Sequence, residues 1–212
     1  MPQRIFVLGG SGPSGRLIVA KALSAGHTVT SFARHPETTG LTDPRLTLVT
    51  GDVLGDPAAL AAAMSGHDIV ISALGRGLKL KSHGLMTRAT PALITAMTNA
   101  GVKRLIYLSA IGVGGTAPTA PLILRIIWRV MLAGIYGDKA IAEPLVLTSG
   151  LDWTILAPVI LTDGRATGNY RLREGSPPAG PWRMTRADLA TATLNCVDDA
   201  GTIRKRLVVQ TT

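Results

Sequence analysis

The sequence predicts a doubly wound α/β domain, and three observations carry that prediction. Short runs with β-branched residues alternate with Ala- and Leu-rich segments of helical spacing, the first run opens the chain, and a glycine cluster joins it to the first helix. Right-handed crossovers then place helices on both faces of a mostly parallel sheet, the Rossmann arrangement. The 212 residues match a single domain.

The strand candidates are Arg4–Leu8, Thr28–Phe32, Leu46–Thr50, Asp68–Ser72, Arg104–Ser109 and Trp153–Leu156, all read as buried parallel strands. Helical spacing covers Ser14–Ala25, Pro57–Met64, Gly84–Ala100, Asp138–Ser149 and Arg186–Val197. Gly26, Gly66, Gly101 and Gly150 punctuate helix ends, where glycine accepts a left-handed conformation at little cost. Asp56 before Pro57 suits an N-cap, and Thr185 with Asp188 suits a capping box. The turn-rich stretch Gly112–Pro121 lies between apolar segments and is no linker, so residues 1–212 form one unit with a substrate cleft built by about 110–185.

The composition sets the function classes. The formal charge is +9, with 46% hydrophobic and 4% aromatic residues. A positive field attracts anions, but the basic residues are dispersed, the runs Lys79–Lys81 and Arg204–Arg206 are short, and aromatics for stacking on bases are few. Phosphorylated small molecules are favoured over nucleic acid. The lone Cys196 excludes a disulfide framework and reads as a buried inert thiol; His27, His35, His67 and His83 occur singly, so no metal site is expected. The start lacks signal-peptide character, and Pro121–Ile135 is too short and too charged to span a bilayer. A cytoplasmic protein is expected.

Ligands of such sheets bind beyond the carboxyl ends of the strands. After the first strand comes Gly9-Gly10-Ser11-Gly12-Pro13-Ser14-Gly15-Arg16, which fits both G-x-G-x-x-G and G-x-x-G-x-x-G. There the first glycine permits a tight turn, the middle one lets a pyrophosphate reach the backbone, and the last packs helix on strand. The second strand ends in Arg34 with no acid beside it, placed to fork a 2′-phosphate, with Ser31 as a neutral donor and Arg16 as a second cation. NADP(H) is therefore preferred over NAD(H), and Glu37, after Pro36, is read as solvent-facing. Asp52 and Val53 offer an acceptor and a packing surface for adenine. Ala73, Leu74 and Gly75 let ribose and phosphates lie on the backbone.

Taken together, these residues resemble the atypical short-chain dehydrogenase/reductase group with an NAD(P)H-binding domain, nearest its branch of biliverdin-IXβ reductase-like, NADPH-dependent flavin reductases. The resemblance rests on the glycine loop, Arg34, GDVLGD at Gly51–Asp56, SGHDIVISALG at Ser65–Gly75 and AGVKRLIYLSA at Ala100–Ala110. It continues through SGLDWTILAP at Ser149–Pro158, TGNYRL at Thr167–Leu172 and TRADL at Thr185–Leu189. It implies NADPH-dependent reduction of a planar acceptor, such as a flavin used as substrate rather than prosthetic group, a quinone or a linear tetrapyrrole. It also implies a nicotinamide near Ser109 and Ala110, with Pro158 at the end of the next strand. Lys139 and Val159 stand where the biliverdin-reducing relatives carry histidines, which counts against biliverdin more than against flavin.

Three residues are candidates for chemistry. Ser109 would hold nicotinamide or substrate, or simply bond to backbone; Lys139 would contact cofactor and offset developing negative charge; Tyr136 would be a general acid. The pair Tyr136 and Lys139 is spaced by three rather than the four of a Tyr-x-x-x-Lys pair, and Gly137 and Asp138 place Tyr136 ahead of the helix that Asp138 caps. Reduction of a flavin or quinone needs hydride delivery more than a dedicated acid. The alternatives are a non-catalytic NADP(H)-binding redox sensor or assembly factor, and a carbonyl reductase or epimerase that uses Tyr136. The apolar segment Leu122–Ile135 is read as a homodimer or packing surface.

Overall fold

The computed structural model describes residues 1–75, 84–113, 133–175 and 180–212, with the backbone alone at 133–136. Its strands are β1 (Arg4–Leu8), β2 (Thr28–Ala33), β3 (Leu46–Thr50), β4 (Ile69–Ser72), β5 (Arg104–Leu108), β6 (Asp152–Pro158), β7 (Ile160–Thr162), β8 (Tyr170–Glu174), β9 (Arg183–Thr185) and β10 (Lys205–Thr211). The helices are α1 (Pro13–Ser24), α2 (Pro57–Met64), α3 (Leu85–Ala100), α4 (Ala133–Leu147) and α5 (Arg186–Asp198).

Eight strands form the main sheet in the order β3-β2-β1-β4-β5-β6-β10-β8, and β7 pairs with β9 apart from it. Every pairing in the main sheet is parallel except the edge strand β8, which runs antiparallel to β10. Chain order reverses between β1 and β4, which opens a crevice at their carboxyl ends.

Side chains of a strand alternate between faces, so each strand feeds two cores. Ile5 and Val7 of β1, with Ile106 of β5, pack on Ile18, Val19 and Ala22 of α1 and Leu189 of α5. Phe6, Leu8, Leu105 and Tyr107 face Leu60 of α2, Leu93 and Met97 of α3, and Val146 of α4. At roughly 1.5–3 kcal/mol per large apolar side chain, these two layers dominate stability.

Local chemistry ends the elements where expected in several places. Gly101 closes α3 at φ 71°, and Gly26, Gly66 and Gly150 also lie at positive φ. The Asp56 carboxylate accepts the Ala58 amide and caps α2. Thr185 caps α5 by accepting the Asp188 amide, but the box closes differently: Asp188 Oδ2 accepts from the Thr185 hydroxyl, not from its backbone. The same buried carboxylate accepts from the Thr167 and Gly168 amides and the Thr167 hydroxyl. The TGN turn is thus bolted to the start of α5, a structural reason for the two motifs to occur together.

Three expectations are corrected. β3 is an edge strand and mostly open to solvent, with Leu48 40% exposed. The C-terminal region holds four strands, β7 to β10, beyond the six expected. Helix α4 begins at Ala133, not Asp138, so Tyr136 lies within it. Asp138 does not cap its own helix; its carboxylate accepts the Met86 and Thr87 amides and the Thr87 hydroxyl, capping α3 from outside.

Lys79–Lys81 and most of Gly112–Pro121 and Leu122–Ile135 lie outside the described residues. Among the described residues, no helix is long and apolar enough to cross a membrane.

Candidate functional site

A cavity of about 500 Å³ opens over the glycine loop at the β1/β4 crevice. Gly9, Ser11, Gly12 and Pro13 form its floor, and Ala33 and Arg34 stand at the end of β2. Asp52 and Val53 follow β3, and Ala73, Leu74 and Gly75 follow β4. These are the positions the sequence assigned to a dinucleotide.

The loop's geometry explains each glycine. Gly9 takes φ 82°, and a Cβ there would stand 3.1 Å from the Ala73 carbonyl. A Cβ on Gly15 would lie 2.2 Å from the Gly9 oxygen, so helix and strand meet backbone to backbone. A Cβ on Gly10 would lie 2.2 Å from Ser31 Oγ. At Gly12 the nearest atom is 3.4 Å away, so its missing side chain leaves space on the cavity side rather than relieving a clash. Gly12 is also the N-cap of α1 and supplies no side-chain acceptor, whereas Asp56 and Thr185 cap their helices. The first-turn amides of α1 therefore remain available to an anion.

Two expected phosphate partners are placed elsewhere. Ser31 is fully buried beneath Gly10 and faces the protein rather than the cavity, because β2 turns it toward α1. The Arg16 guanidinium extends toward the Gly40 turn instead of lining the cavity; Gly10, Ser14 and Gly15 are also outside its lining, Gly10 against Ser31 and Gly15 against Gly9. Arg34 does reach the cavity. Glu37 points outward, 66% exposed and 3.4 Å from His35 Nδ1, which joins it to a cavity-lining residue.

Sequence reasoning missed Phe32, Leu54, Leu85 and above all Arg88 in the cavity wall. Arg88 lies one turn after Leu85, so both face the same side of α3. Among the described residues, the side chains of Arg34 and Arg88 make no hydrogen bond or ion pair. Two uncommitted guanidinium groups thus face one cavity. Asp52 offers the opposite charge; its Oδ1 accepts the Leu54 amide at 3.0 Å and fixes the turn. An uncapped helix start, an open middle glycine and free cations fit a phosphorylated dinucleotide.

Ser109, Ala110, Lys139 and Pro158 lie outside this cavity's lining and gather at the ends of β5 and β6 instead. The Ser109 amide donates to Leu156 O at 2.8 Å and the Ile111 amide to Pro158 O at 2.9 Å. Lys139 Nζ donates to Ser109 O at 2.9 Å and to Leu108 O at 3.4 Å. Burial lowers its pKa to about 8, although the nearby Glu143 and Asp138 carboxylates favour the ammonium. Ser109 does not bond to backbone through its hydroxyl; Oγ donates to Glu143 Oε2 at 2.6 Å. Glu143 is buried and accepts at Oε1 from Arg206 Nε at 2.5 Å, while Arg206 Nη2 donates to Val113 O. Neither Glu143 nor Arg206 was foreseen. Tyr136 and Lys139 are three residues apart within α4, so both fall on one helix face.

Cys196 is buried, and burial lifts its thiol to about 11. Arg104 is also committed inside the fold, donating to Asp152 O, Thr154 Oγ1, Cys196 O and Thr202 Oγ1.

The NAD(P)H-binding family model matches residues 9–200. The chain belongs to that family. It is an NAD(P)H-binding protein with a Rossmann fold. An uncharacterised chloroplastic protein of Arabidopsis thaliana is 30% identical over 179 residues, 79% of this chain; the chain spans 62% of that relative's length. The photosystem II assembly factor Ycf39 of Synechocystis is 27% identical over 159 residues, covering 73% of this chain and 44% of that protein. Among solved structures, ChuY, an anaerobillin reductase from Escherichia coli O157:H7, superposes with a TM-score of 0.81 at 24% identity, covering 97% of this chain and 96% of that one. At that identity the likeness concerns the fold.

Proposed function

We propose that this protein is a cytoplasmic, NADPH-dependent reductase that passes a hydride to a flavin, a quinone or a related planar acceptor, with the flavin bound as substrate. The observation that carries the cofactor choice is Arg34, uncommitted at the cavity wall with no carboxylate at the end of β2. Arg88 adds a second free cation on the opposing helix. Bound NADPH would supply the hydride, and the acceptor would take its proton from water. The chain's own contribution is placement: the glycine loop for the pyrophosphate, Arg34 for the 2′-phosphate, Asp52 and Val53 for adenine, and the ends of β5 and β6 for the nicotinamide.

The cluster at those strand ends favours a delocalised acceptor over a simple carbonyl. Lys139 is held by two backbone carbonyls, and the Ser109 proton is already given to Glu143. A carbonyl reductase or epimerase would need Tyr136 as its acid. Replacing Tyr136 with Phe then abolishes turnover, whereas flavin reduction survives it. The Synechocystis relative keeps a second reading in view, an NADP(H)-binding assembly factor without turnover, in homodimeric form or with another partner.

Steady-state NADPH oxidation with FMN as acceptor, and NADH as matched control, tests the proposal. FMN-dependent turnover favouring NADPH is expected. Tight NADPH binding with no turnover would transfer the case to the assembly reading.

A further inference from the structure

The hydroxyl of Ser109 has one proton, and its destination decides what the serine can recognise. That proton goes to Glu143 Oε2 at 2.6 Å, the length of a charge-assisted O–H···O⁻ bond. The other Glu143 oxygen accepts from Arg206 Nε, and Arg206 in turn anchors to Val113 O. From the opposite side, Lys139 fixes the Ser109 carbonyl, and Leu156 O fixes its amide. Reversing the hydroxyl would place two oxygen lone pairs against each other inside the fold, with a buried acceptor left unpaired. What remains to Ser109, buried at the end of β5, is lone-pair capacity for one further donor.

We propose that Glu143, braced by Arg206, is a positioning residue that fixes Ser109 as a hydrogen-bond acceptor for the carboxamide N–H of the nicotinamide. This deepens the NADPH reading and rests on it. In a sheet of order β3-β2-β1-β4-β5-β6, the adenosine half of a dinucleotide lies over β1 to β3 and the other half over β4 to β6, where Ser109 ends β5. The carboxamide is the N–H donor that half carries. The same orientation denies Ser109 the role of polarising a substrate carbonyl, so the serine selects for the cofactor instead of activating a ketone.

The test compares two ligands that differ in one donor: NADP⁺ and its 3-acetylpyridine analogue, whose methyl replaces the amide nitrogen. Dissociation constants are measured by calorimetry for the wild type, Ser109→Ala and Glu143→Gln. The wild type should bind the analogue about fivefold more weakly, the worth of one ordinary hydrogen bond. Ser109→Ala should bind both ligands equally. Glu143→Gln should also lose the preference, because its amide can donate to Ser109 and release the serine's proton. Ser109→Ala leaves the Glu143–Arg206 pair intact and is the informative variant should the glutamine variant fail to fold. A purely structural role would weaken both ligands together and leave their ratio unchanged, which would overturn the proposal. Equal binding by the wild type, with NADP⁺ bound, would overturn it while sparing the cofactor reading; no NADP⁺ binding at all would overturn both.

Discussion

Gly12 and Gly15 sit three residues apart in one loop, yet their replacement should fail for opposite reasons. A Cβ on Gly15 lands 2.2 Å from the Gly9 oxygen and 2.9 Å from Gly10 Cα, both backbone atoms, so strand and helix must separate. Overpacking of that kind costs about 1–3 kcal/mol. With about 2–4 °C per kcal/mol for a chain of this size, Gly15→Ala should melt roughly 2–12 °C early. A Cβ on Gly12 meets nothing nearer than 3.4 Å, and its φ of −72° suits any residue. Gly12→Val therefore loses little beyond the N-cap preference, about 0.5–1 kcal/mol, or roughly 1–4 °C. Its side chain instead fills the approach to the loop amides, so NADPH binding should vanish. Thermal unfolding with and without NADPH separates the two: the Gly12 variant stays folded and gains nothing from cofactor. A Gly12→Val protein that still binds NADPH would refute the placement of the pyrophosphate, and a Gly15→Ala protein as stable as wild type would refute the packing argument.

Arg34→Ala should weaken NADPH by about tenfold, the lower end for charge-assisted hydrogen bonds at an exposed position, and leave NADH nearly unchanged; an equal loss for both in titrations would remove the 2′-phosphate role. Arg104→Met should cost about 2–3 kcal/mol in urea unfolding, since several buried acceptors lose their donor, with NADPH affinity unchanged once folded. Burial lowers Lys139 to about 8 from 10.5, so between those values the unfolded chain binds the extra proton and its contribution to stability rises with pH. The stability of wild type minus that of Lys139→Met should accordingly increase from pH 7.5 to pH 10, whereas a difference that stays flat would contradict the buried ammonium.

The half of the fold that holds the glycine loop was legible because its strands are apolar runs bounded by glycines and caps. The strands near the C-terminus were not: β8 is an edge strand carrying Arg171, Arg173 and Glu174, and β7 and β9 span three residues each. Asp138 misled because an acid ahead of an apolar run reads as a cap for that run, and only the tertiary fold reveals that it caps α3, 52 residues upstream. Cavity positions after β1 to β4 followed from topology alone. Ser31 failed because strand alternation gives a residue's face but not which face the ligand shares. Arg88 lay beyond reach because nothing local marks the side of α3 that meets the cavity. Glu143 and Arg206 are separated by 63 residues; the one local hint was the i,i+4 spacing of Lys139 and Glu143, and Arg206 sat in a run that read as solvated charge.

The most direct test is a single turnover under anaerobic conditions, in which the preformed complex with NADPH is mixed with FMN and flavin reduction is followed. The account predicts that FMN is reduced at a rate that saturates with protein and falls when the transferred hydrogen is deuterium. Full occupancy by NADPH with the flavin left oxidised would contradict it.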